Sequence, residues 1–265
     1  MTNKTTGRVI IAGAGPGDAE LITVKLQKRL AEADVILVDR LVNPDIIDTW
    51  AQKDALVLMT GKQGYHDGSV AQEDINKLMV GHAQNGKTVL RLKGGDVAFF
   101  SNVLDELVAL QQAEIPFEII PGITAASGAS AYAGIPLTAR GYSKGVQFIT
   151  YNPCSHYSPE KWKSWANSGD TLVFYMAARN LAGLVELLTR YSRYPATPLA
   201  VIEQATTPYQ KVHITTLKDF SENKDQVFSS PSLVVVGEVV RLHEQFNWYQ
   251  AEREGSVFHQ LVTVK

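Results

Sequence analysis

Three glycine-rich turns hold the residues of this chain best suited to chemistry. They read Gly13-Ala14-Gly15-Pro16-Gly17-Asp18, Gly94-Gly95-Asp96 and Pro121-Gly122-Ile123-Thr124, and each follows an apolar, strand-like segment. The third turn opens into Ala125–Ala131, which contains only alanine, serine and glycine. Small side chains leave backbone amides and carbonyls uncovered, and glycine reaches dihedral angles that other residues avoid. Because α/β sheets bind ligands beyond the carboxyl ends of their strands, we expect these turns to form a small-molecule site.

The residues in the turns narrow the class of ligand. A dinucleotide fingerprint G-x-G-x-x-G needs glycine at position 18, but Asp18 stands there, and Pro16 lacks an amide for a pyrophosphate. Asp18 and Asp96 favour a positively charged ligand without phosphate, because a carboxylate repels phosphate. S-adenosylmethionine, which carries a sulfonium, is such a ligand. Because the dinucleotide fingerprint is incomplete, a reductase that uses NAD is the weakest interpretation of these turns.

Composition excludes several other classes of protein. The 265 residues are 45% hydrophobic and 20% charged, which is typical of an ordinary globular protein. The formal net charge of −2 predicts no general attraction to nucleic acid or to a membrane surface. The single Cys154 excludes an internal disulfide, and we expect no bound metal. Since no apolar run approaches the ~20 residues of a membrane span and no signal-peptide core is evident, we expect a cytoplasmic protein.

Strand-like segments alternate with helical patterns along most of the chain, which predicts an α/β fold with a mostly parallel N-terminal sheet. In the last third of the chain, little helix separates the strand-like segments Lys211–Thr216 and Ser232–Val236. We therefore expect antiparallel pairing there and a mixed C-terminal sheet. The predicted strands are Val9–Ala12, Val35–Val38, Leu56–Leu58, Thr88–Leu92, Phe117–Ile120, Gln147–Thr150, Thr171–Tyr175, Leu199–Ile202, Lys211–Thr216 and Ser232–Val236.

Helix starts and a domain boundary are also predicted. Apolar positions between residues 75 and 82 recur at helical spacing, and Ser69 with Gln72 has the spacing of a capping box before them. Ser158, followed by proline, predicts a second helix start. The polar, glycine-bearing segment Ala139–Gly145 predicts a boundary between an N-terminal domain, residues 1–141, and a C-terminal domain, residues 142–265. We expect the open turns to line a cleft between the two domains.

The order of the motifs resembles one family, the tetrapyrrole methylases, and within it the S-adenosylmethionine-dependent uroporphyrinogen-III C-methyltransferases. The likeness covers roughly residues 8 to 249. It is carried by Val9–Asp18, Asp39–Val42, Gly61-Lys62, Gly64–His66, Arg91–Asp96, Ile120–Thr138, Phe174–Met176, Ile202-Glu203, Thr206–Pro208 and Val236–Val240. A lone glycine turn is weak evidence, whereas this ordered set is specific.

The resemblance implies both a fold and a reaction. The fold is the two-domain α/β tetrapyrrole methylase-like fold, with the active-site cleft between a mostly parallel N-terminal sheet and a mixed C-terminal sheet. The reaction transfers methyl groups from S-adenosylmethionine to two ring carbons, C2 and C7, of uroporphyrinogen III. The product is precorrin-2, a precursor of sirohaem and of corrinoids. The resemblance further implies a homodimer.

The resemblance also assigns roles to residues of this sequence. It implies that Asp39 accepts a proton and Lys62 donates one. Arg40 and Arg140 are the expected contacts to the eight carboxylates of the substrate. The expected contacts to the cofactor are Pro16, Gly94, Gly95, Asp96, Phe99, Thr124, Ala125, Met176 and Ala205.

Several residues depart from the family pattern near the expected substrate and cofactor sites. Asn102 and Gln63 replace arginines, and Ala205 replaces a glycine near the cofactor. The segment after Asp96 has lost its glycines and predicts an ordinary helix start, capped by Ser101 or Asn102. Two alternatives therefore stay open. One is a methylase of a later corrinoid intermediate, and the other is a module that binds S-adenosylmethionine without catalysis.

Overall fold

The computed structural model of the protein describes residues 6–60, 71–154, 157–192, 194–223, 226–251 and 253–258. The chain forms two compact units, Met1–Ala125 with Ser256–Lys265, and Ala126–Gly255. Each unit contains one β-sheet and its own helices. The domain limit between residues 141 and 142 and the cleft between the domains stay predictions.

The N-terminal unit contains a parallel five-stranded sheet, as predicted. Its strands are β1 (Arg8–Gly13), β2 (Val35–Val38), β3 (Leu56–Met59), β4 (Thr88–Lys93) and β5 (Phe117–Ile120). They are ordered β3-β2-β4-β1-β5, and every neighbouring pair is parallel. The carboxyl ends of all five strands therefore lie at one edge of the sheet, where the predicted turns follow β1, β4 and β5.

Helices cover both faces of this sheet. They are α1 (Val24–Leu30), α2 (Asp45–Trp50), α3 (Gln72–Gln84) and α4 (Val103–Gln112). One face buries Ile10, Ile36 and Leu90 with Leu26 and Leu30 of α1. The other face buries Val9, Leu37 and Val89 with Met79 of α3 and Leu110 of α4. Since successive side chains of a strand point to opposite faces, β1, β2 and β4 each contribute buried residues to both cores.

The start of α3 differs from the prediction. Ala71 has extended backbone, and the helix begins at Gln72 with no side-chain cap. Gln72 Nε2 donates to Asn76 Oδ1 at 3.1 Å, so this side chain bonds along the helix. Ser69 lies outside the described residues. Because the helix begins after Ala71, the predicted capping box at residues 69–72 is wrong. Of the predicted apolar face, Ile75 and Met79 are buried, whereas Leu78 is exposed.

The end of α3 contains a misleading sequence pattern. Gly81–Thr88 matches the phosphate-loop spacing G-x-x-x-x-G-K-T. In the structure this segment is a helix end, a turn and the start of β4, the reverse of the strand–loop–helix order of a phosphate loop. Asn85 Nδ2 donates to the carbonyl of Gly81, and Gly86 has a left-handed φ of 81°. The pattern is therefore a helix C-terminus.

The C-terminal unit contains a mixed five-stranded sheet, as predicted. Its strands are β6 (Val146–Thr150), β7 (Thr171–Tyr175), β8 (Pro198–Glu203), β9 (Lys211–Thr216) and β10 (Ser232–Val236), in the order β6-β7-β10-β8-β9. Only β6 and β7 pair in parallel. Strands β9 and β10, which were expected to be antiparallel, are indeed antiparallel to their neighbours. They lie on either side of β8, however, and do not pair with each other.

The helices of this unit pack on an aromatic core. They are α5 (Ala125–Tyr132), which starts at the last residue of the N-terminal unit, α6 (Pro159–Ala166), α7 (Leu181–Tyr191), α8 (Leu217–Glu222) and α9 (His243–Phe246). Trp162, Trp165 and Phe174 lie in this core with Leu184. Ser158 accepts a hydrogen bond from the Lys161 amide, which confirms the predicted start of α6. No helix in the described part of the chain is long and apolar enough to cross a membrane.

Candidate functional site

The first two glycine turns of the N-terminal unit are hydrogen-bonded to each other. Gly15 and Gly95 form an antiparallel bridge, with N···O distances of 3.0 Å and 2.7 Å in the two directions. The Ala14 amide also donates to the carbonyl of Lys93 at 2.7 Å. The turns that follow β1 and β4 therefore form one backbone structure at the edge of the sheet.

Asp96 joins the third turn to the second. Its side chain is buried, with 8% of the residue exposed. One carboxylate oxygen accepts the Ala98 amide at 2.6 Å, and the other accepts the Gly122 amide at 3.0 Å. The structure thus brings the three turns together, as predicted from the sequence. The carboxylate that the sequence suggests as a contact for a cationic ligand also holds two backbone amides.

The close packing of the turns requires glycine. A Cβ atom on Gly13 would lie 2.5 Å from the carbonyl oxygen of Gly95, and one on Gly122 would overlap the same oxygen. Gly95 itself has a left-handed φ of 67°. Among the residues that the structure describes, a Cβ atom on Gly95 would meet only the amide nitrogen of Ala125, at 3.6 Å. The backbone of Gly95 is therefore accessible to a ligand, next to Ala125.

Asp39 lies at the same edge of the sheet, directly after β2. It is half-buried, its amide donates to the Leu92 carbonyl at 2.9 Å, and its Oδ1 accepts the Arg40 amide at 2.8 Å. The nearby Asn43 is buried, and its Nδ2 donates to the Gly17 carbonyl at 2.8 Å. Asn43 therefore ties the segment that carries Asp39 to the first turn. This contact was not predicted from the sequence, because an asparagine before a proline resembles an ordinary turn residue.

Three charged side chains are buried on the α3–α4 face of the sheet. Arg91 and Lys93 of β4 are each 3% exposed, and Glu106 of α4 is 0% exposed. Both cations contact Glu106 Oε1 at 2.9 Å. Burial lowers the pKa of Lys93, and the positive charge of Arg91 adds to this lowering, whereas Glu106 and Asp39 raise it. The sequence signal for this cluster was two basic residues within an otherwise apolar strand.

The segment between Asp96 and α4 differs from an ordinary helix start. Asn102 occupies the N-cap position, but it has a left-handed φ of 53° and its side chain makes no capping hydrogen bond. The Ser101 hydroxyl donates to the Val97 carbonyl. Neither Ser101 nor Asn102 therefore caps α4, and the predicted cap is wrong. Phe99 and Phe100, with 40% and 41% of each residue exposed, place apolar surface beside the second turn.

The predicted cofactor residues of the C-terminal unit share another sheet edge. Since β7 and β8 are both antiparallel to β10, their carboxyl ends lie on the same side. Met176 follows β7 with a φ of 60° and is 62% exposed. Ala205 follows β8 between Gln204 and Thr206, whose φ values are 45° and 68°. Left-handed backbone at non-glycine residues is uncommon and is enriched at functional sites.

Helix α5 is bonded to both of these segments. The Ala126 amide donates to the Tyr175 hydroxyl at 3.1 Å, next to Met176. At the other end of the helix, Gln210 Nε2 donates to the Tyr132 carbonyl at 3.3 Å, while its Oε1 accepts the Thr206 amide at 2.8 Å. The small-residue helix, the end of β7 and the turn after β8 are thus one connected structure.

The remaining predicted site residues are placed as follows. Pro16, Thr124 and Ala125 are half-buried within the first and third turns, and Gly94 lies against the Leu41 carbonyl. Arg40 is half-buried in the N-terminal unit and Arg140 is exposed in the C-terminal unit. Lys62 and Gln63 lie outside the described residues. Within the described part of the chain, no group of three or more His, Cys, Asp or Glu could hold a metal ion.

The chain is similar in sequence to known proteins. Residues 8–221 match the family model of the Tetrapyrrole (Corrin/Porphyrin) Methylases. The siroheme synthase of Actinobacillus succinogenes is 43% identical over 247 residues, which cover 93% of this chain and 51% of that protein. The chain therefore spans about half the length of such curated relatives.

Solved structures agree with the family match. The uroporphyrin-III C-methyltransferase of Thermus thermophilus, complexed with S-adenosylhomocysteine, superimposes with a TM-score of 0.74 and 32% identity, covering 89% of this chain and 94% of that one. A cobalt precorrin-4 methyltransferase superimposes with a TM-score of 0.78 and 27% identity, covering 88% of this chain and 95% of that one. With its two sheets, its joined glycine turns and these relatives, the chain belongs to the tetrapyrrole methylase family.

Proposed function

We propose that the protein is an S-adenosylmethionine-dependent C-methyltransferase that methylates C2 and C7 of uroporphyrinogen III to give precorrin-2, for sirohaem or corrinoid biosynthesis. The observation that carries the proposal is the joining of three glycine turns beside Asp39 at one edge of the parallel sheet. Family membership and 43% identity to a siroheme synthase support it.

The residues present fit S-adenosylmethionine as the methyl donor. Gly95 leaves its backbone open on one side, and the residues that follow the third turn are small. The Thermus thermophilus relative is solved with S-adenosylhomocysteine, which is the demethylated form of this molecule. When bound, the donor supplies a methyl group on a positively charged sulfur. Pro16, Gly94, Gly95, Asp96, Phe99, Thr124, Ala125, Met176 and Ala205 are the contacts that we propose.

The protein has two tasks in this reaction. It holds the ring carbon in line with the methyl group, which lowers the entropic part of the barrier. It also removes the proton that leaves the macrocycle after methyl transfer, because the methylated carbon already carries a side chain and holds no hydrogen itself. We assign this step to the Asp39 carboxylate. The hydrogen bond from the Arg40 amide to Asp39 Oδ1 orients the carboxyl group. Lys62 is the proposed proton donor.

Arginine side chains are the proposed contacts to the substrate carboxylates. Arg40 follows Asp39 directly, so it is placed to bind a carboxylate close to the reacting carbon. Arg140 is exposed and is the second proposed contact. Asn102 and Gln63 offer no cation where the family has arginine. We therefore expect weaker substrate binding than in relatives that keep these arginines.

A methylase of a later corrinoid intermediate is the second candidate. The TM-score of 0.78 to a cobalt precorrin-4 methyltransferase favours it, although the sequence identity is only 27%. The two candidates differ in substrate and share the cofactor. Incubation with each substrate in turn therefore distinguishes them.

We further propose that the protein is a homodimer in the cytoplasm. The family resemblance supports the dimer, and the ordinary composition supports the compartment. Sedimentation equilibrium that gives the monomer mass of 29.1 kDa at micromolar concentration would contradict the dimer.

The Asp39→Asn variant tests the proposed chemistry. The amide keeps the shape of the side chain but does not accept a proton at neutral pH. We expect S-adenosylhomocysteine to bind with unchanged affinity and turnover to fall at least about a hundredfold, which is the usual contribution of a general base. Asp54→Asn, an exposed aspartate in the same unit, is the matched control. Unchanged turnover in Asp39→Asn would remove Asp39 from this role.

A further inference from the structure

The turn that follows β8 has a backbone conformation that its residues rarely adopt. Gln204 and Thr206 have left-handed φ values of 45° and 68°. Threonine is branched at Cβ, so this conformation is a genuine outlier for it. Such backbone persists only where the surrounding contacts hold it in place. Since Ala205 lies between these two residues, the contacts that hold them also fix the position of Ala205.

Gln210 connects this turn to α5. The residue is buried, with 6% exposed, its Oε1 accepts the Thr206 amide at 2.8 Å, and its Nε2 donates to the Tyr132 carbonyl at 3.3 Å. A backbone amide donates and a carbonyl accepts, so one orientation of the Gln210 amide satisfies both partners and the flipped one satisfies neither. The side chain thus holds the turn with one atom and the helix with the other.

The helix end that Gln210 contacts is itself held by other side chains. The last carbonyls of a helix have no partner within it. Trp248 Nε1 donates to the Ala131 carbonyl at 2.8 Å. His243 Nδ1 lies 2.6 Å from the Ala133 carbonyl oxygen, to which it donates because a carbonyl only accepts. The carbonyls on either side of the one bonded by Gln210 are therefore occupied, and the end of α5 is a fixed support for the turn.

A second connection joins the same turn and helix. The Tyr249 hydroxyl donates to the Thr207 carbonyl at 3.0 Å. The ring of Tyr249 also lies against that of Tyr132, with 4.8 Å between the ring centroids. Tyr249 therefore contacts both segments by a route that does not pass through Gln210. Together the two connections fix the distance between the turn after β8 and the carboxyl end of α5.

We propose that Gln210 is a positioning residue for the methyl donor: its amide holds the left-handed backbone of Thr206 against the carboxyl end of α5, and so fixes Ala205 where the cofactor binds. The inference rests on the proposed function, in which Ala205 contacts S-adenosylmethionine. It accounts for a buried glutamine whose two amide atoms both bond to backbone. It also accounts for a β-branched residue in a left-handed conformation.

The Gln210→Met variant tests the proposal, because it keeps the length of the side chain and removes both hydrogen bonds. We expect the dissociation constant for S-adenosylhomocysteine, measured by isothermal titration, to rise about tenfold. Gln147→Met is the matched control. Gln147 is a half-buried glutamine near the start of β6, bonded to Asp170 and Trp165, at the opposite edge of the same sheet from Ala205. Its replacement should leave the affinity within about twofold.

The Thr206→Gly variant separates positioning from a simple loss of stability. Glycine adopts left-handed backbone without steric cost, so the turn should depend less on Gln210. Added to Thr206→Gly, Gln210→Met should weaken binding by less than about threefold. The same tenfold loss with and without Thr206→Gly would show that Gln210 does not act through the Thr206 backbone, and would overturn the proposal.

These binding measurements do not depend on activity. Unchanged affinity in Gln210→Met would overturn the inference and leave the proposed reaction untouched. If the affinity falls as expected while no tetrapyrrole is methylated, the positioning role stands and the proposed reaction fails. Unaltered protein that binds no S-adenosylhomocysteine would contradict both. Gln210→Asn, whose shorter side chain cannot reach both partners at once, is judged by the same criteria if Gln210→Met does not fold.

Discussion

Asp96 is the residue whose replacement should disturb the glycine turns most selectively. In Asp96→Asn the side chain keeps its shape, but only one of its two terminal atoms can accept a hydrogen bond. The carboxylate now accepts the Ala98 and Gly122 amides at 2.6 Å and 3.0 Å. In the variant, one of these amides must face an NH₂ group, which is also a donor.

The size of the effect follows from these two bonds. A hydrogen bond to a charged group contributes about 1.5–3 kcal/mol, and a buried donor left without a partner adds a desolvation cost of about 1–3 kcal/mol. Gly122 is only half-buried, so water can satisfy part of its demand. We therefore expect Asp96→Asn to lower the free energy of unfolding by about 2–3 kcal/mol.

The Asp96→Asn change should also free the third turn, which contains Gly122, to move. Once released from Asp96, the third turn no longer has a fixed distance to the second, and a ligand held by both turns loses contacts. We expect the affinity for S-adenosylhomocysteine to fall at least about tenfold, which corresponds to about 1.4 kcal/mol. Isothermal titration measures the affinity, and urea denaturation followed by circular dichroism measures the stability.

Asp54→Asn is the control, because Asp54 is exposed and lies away from the turns in sequence. Stability and affinity of Asp96→Asn equal to those of this control would refute the reasoning. The Asp96 carboxylate would then not be the connection between the turns.

Three further changes have expected outcomes. Gly122→Ala places a Cβ atom on the Gly95 carbonyl oxygen and should abolish S-adenosylhomocysteine binding by titration, whereas Gly169→Ala, with open space around it, should not. Hydrogen bonds from Arg29 and Lys25 lower the pKa of Glu118 to about 2. This stabilisation is present above about pH 4.5 and is lost as the pH falls toward 2, so Glu118→Gln should cost about 1 kcal/mol in urea unfolding at pH 7 and little at pH 2. Asn102→Arg should lower KM for the tetrapyrrole, and an unchanged or higher KM would contradict a substrate role for that position.

Much of the fold could be predicted from the sequence because its signals are local. The β-branched apolar segments gave the ten strands, with ends within one residue of those observed. The joining of the glycine turns also followed from sequence, since parallel strands carry their carboxyl ends to one edge. The partners of β9 and β10 could not be predicted, because any of several strands could accept them as antiparallel neighbours.

The parts of the site that were missed depend on distant contacts. Gly122 is 26 residues from Asp96, and Glu106 is 13 residues from Lys93, so no spacing rule connects them. Asn102 was expected to cap α4, but its left-handed backbone turns the side chain away from that role. Such features arise from packing between elements, which the order of residues does not show.

The central claim is that this chain methylates uroporphyrinogen III. The most direct test is an anaerobic incubation of the protein with S-adenosylmethionine and uroporphyrinogen III, with product masses measured over time. We expect a product heavier by two methyl groups, together with S-adenosylhomocysteine. Recovery of unmodified uroporphyrinogen III, from protein that binds S-adenosylhomocysteine, would contradict the claim and favour either the later corrinoid substrate or a module without catalysis.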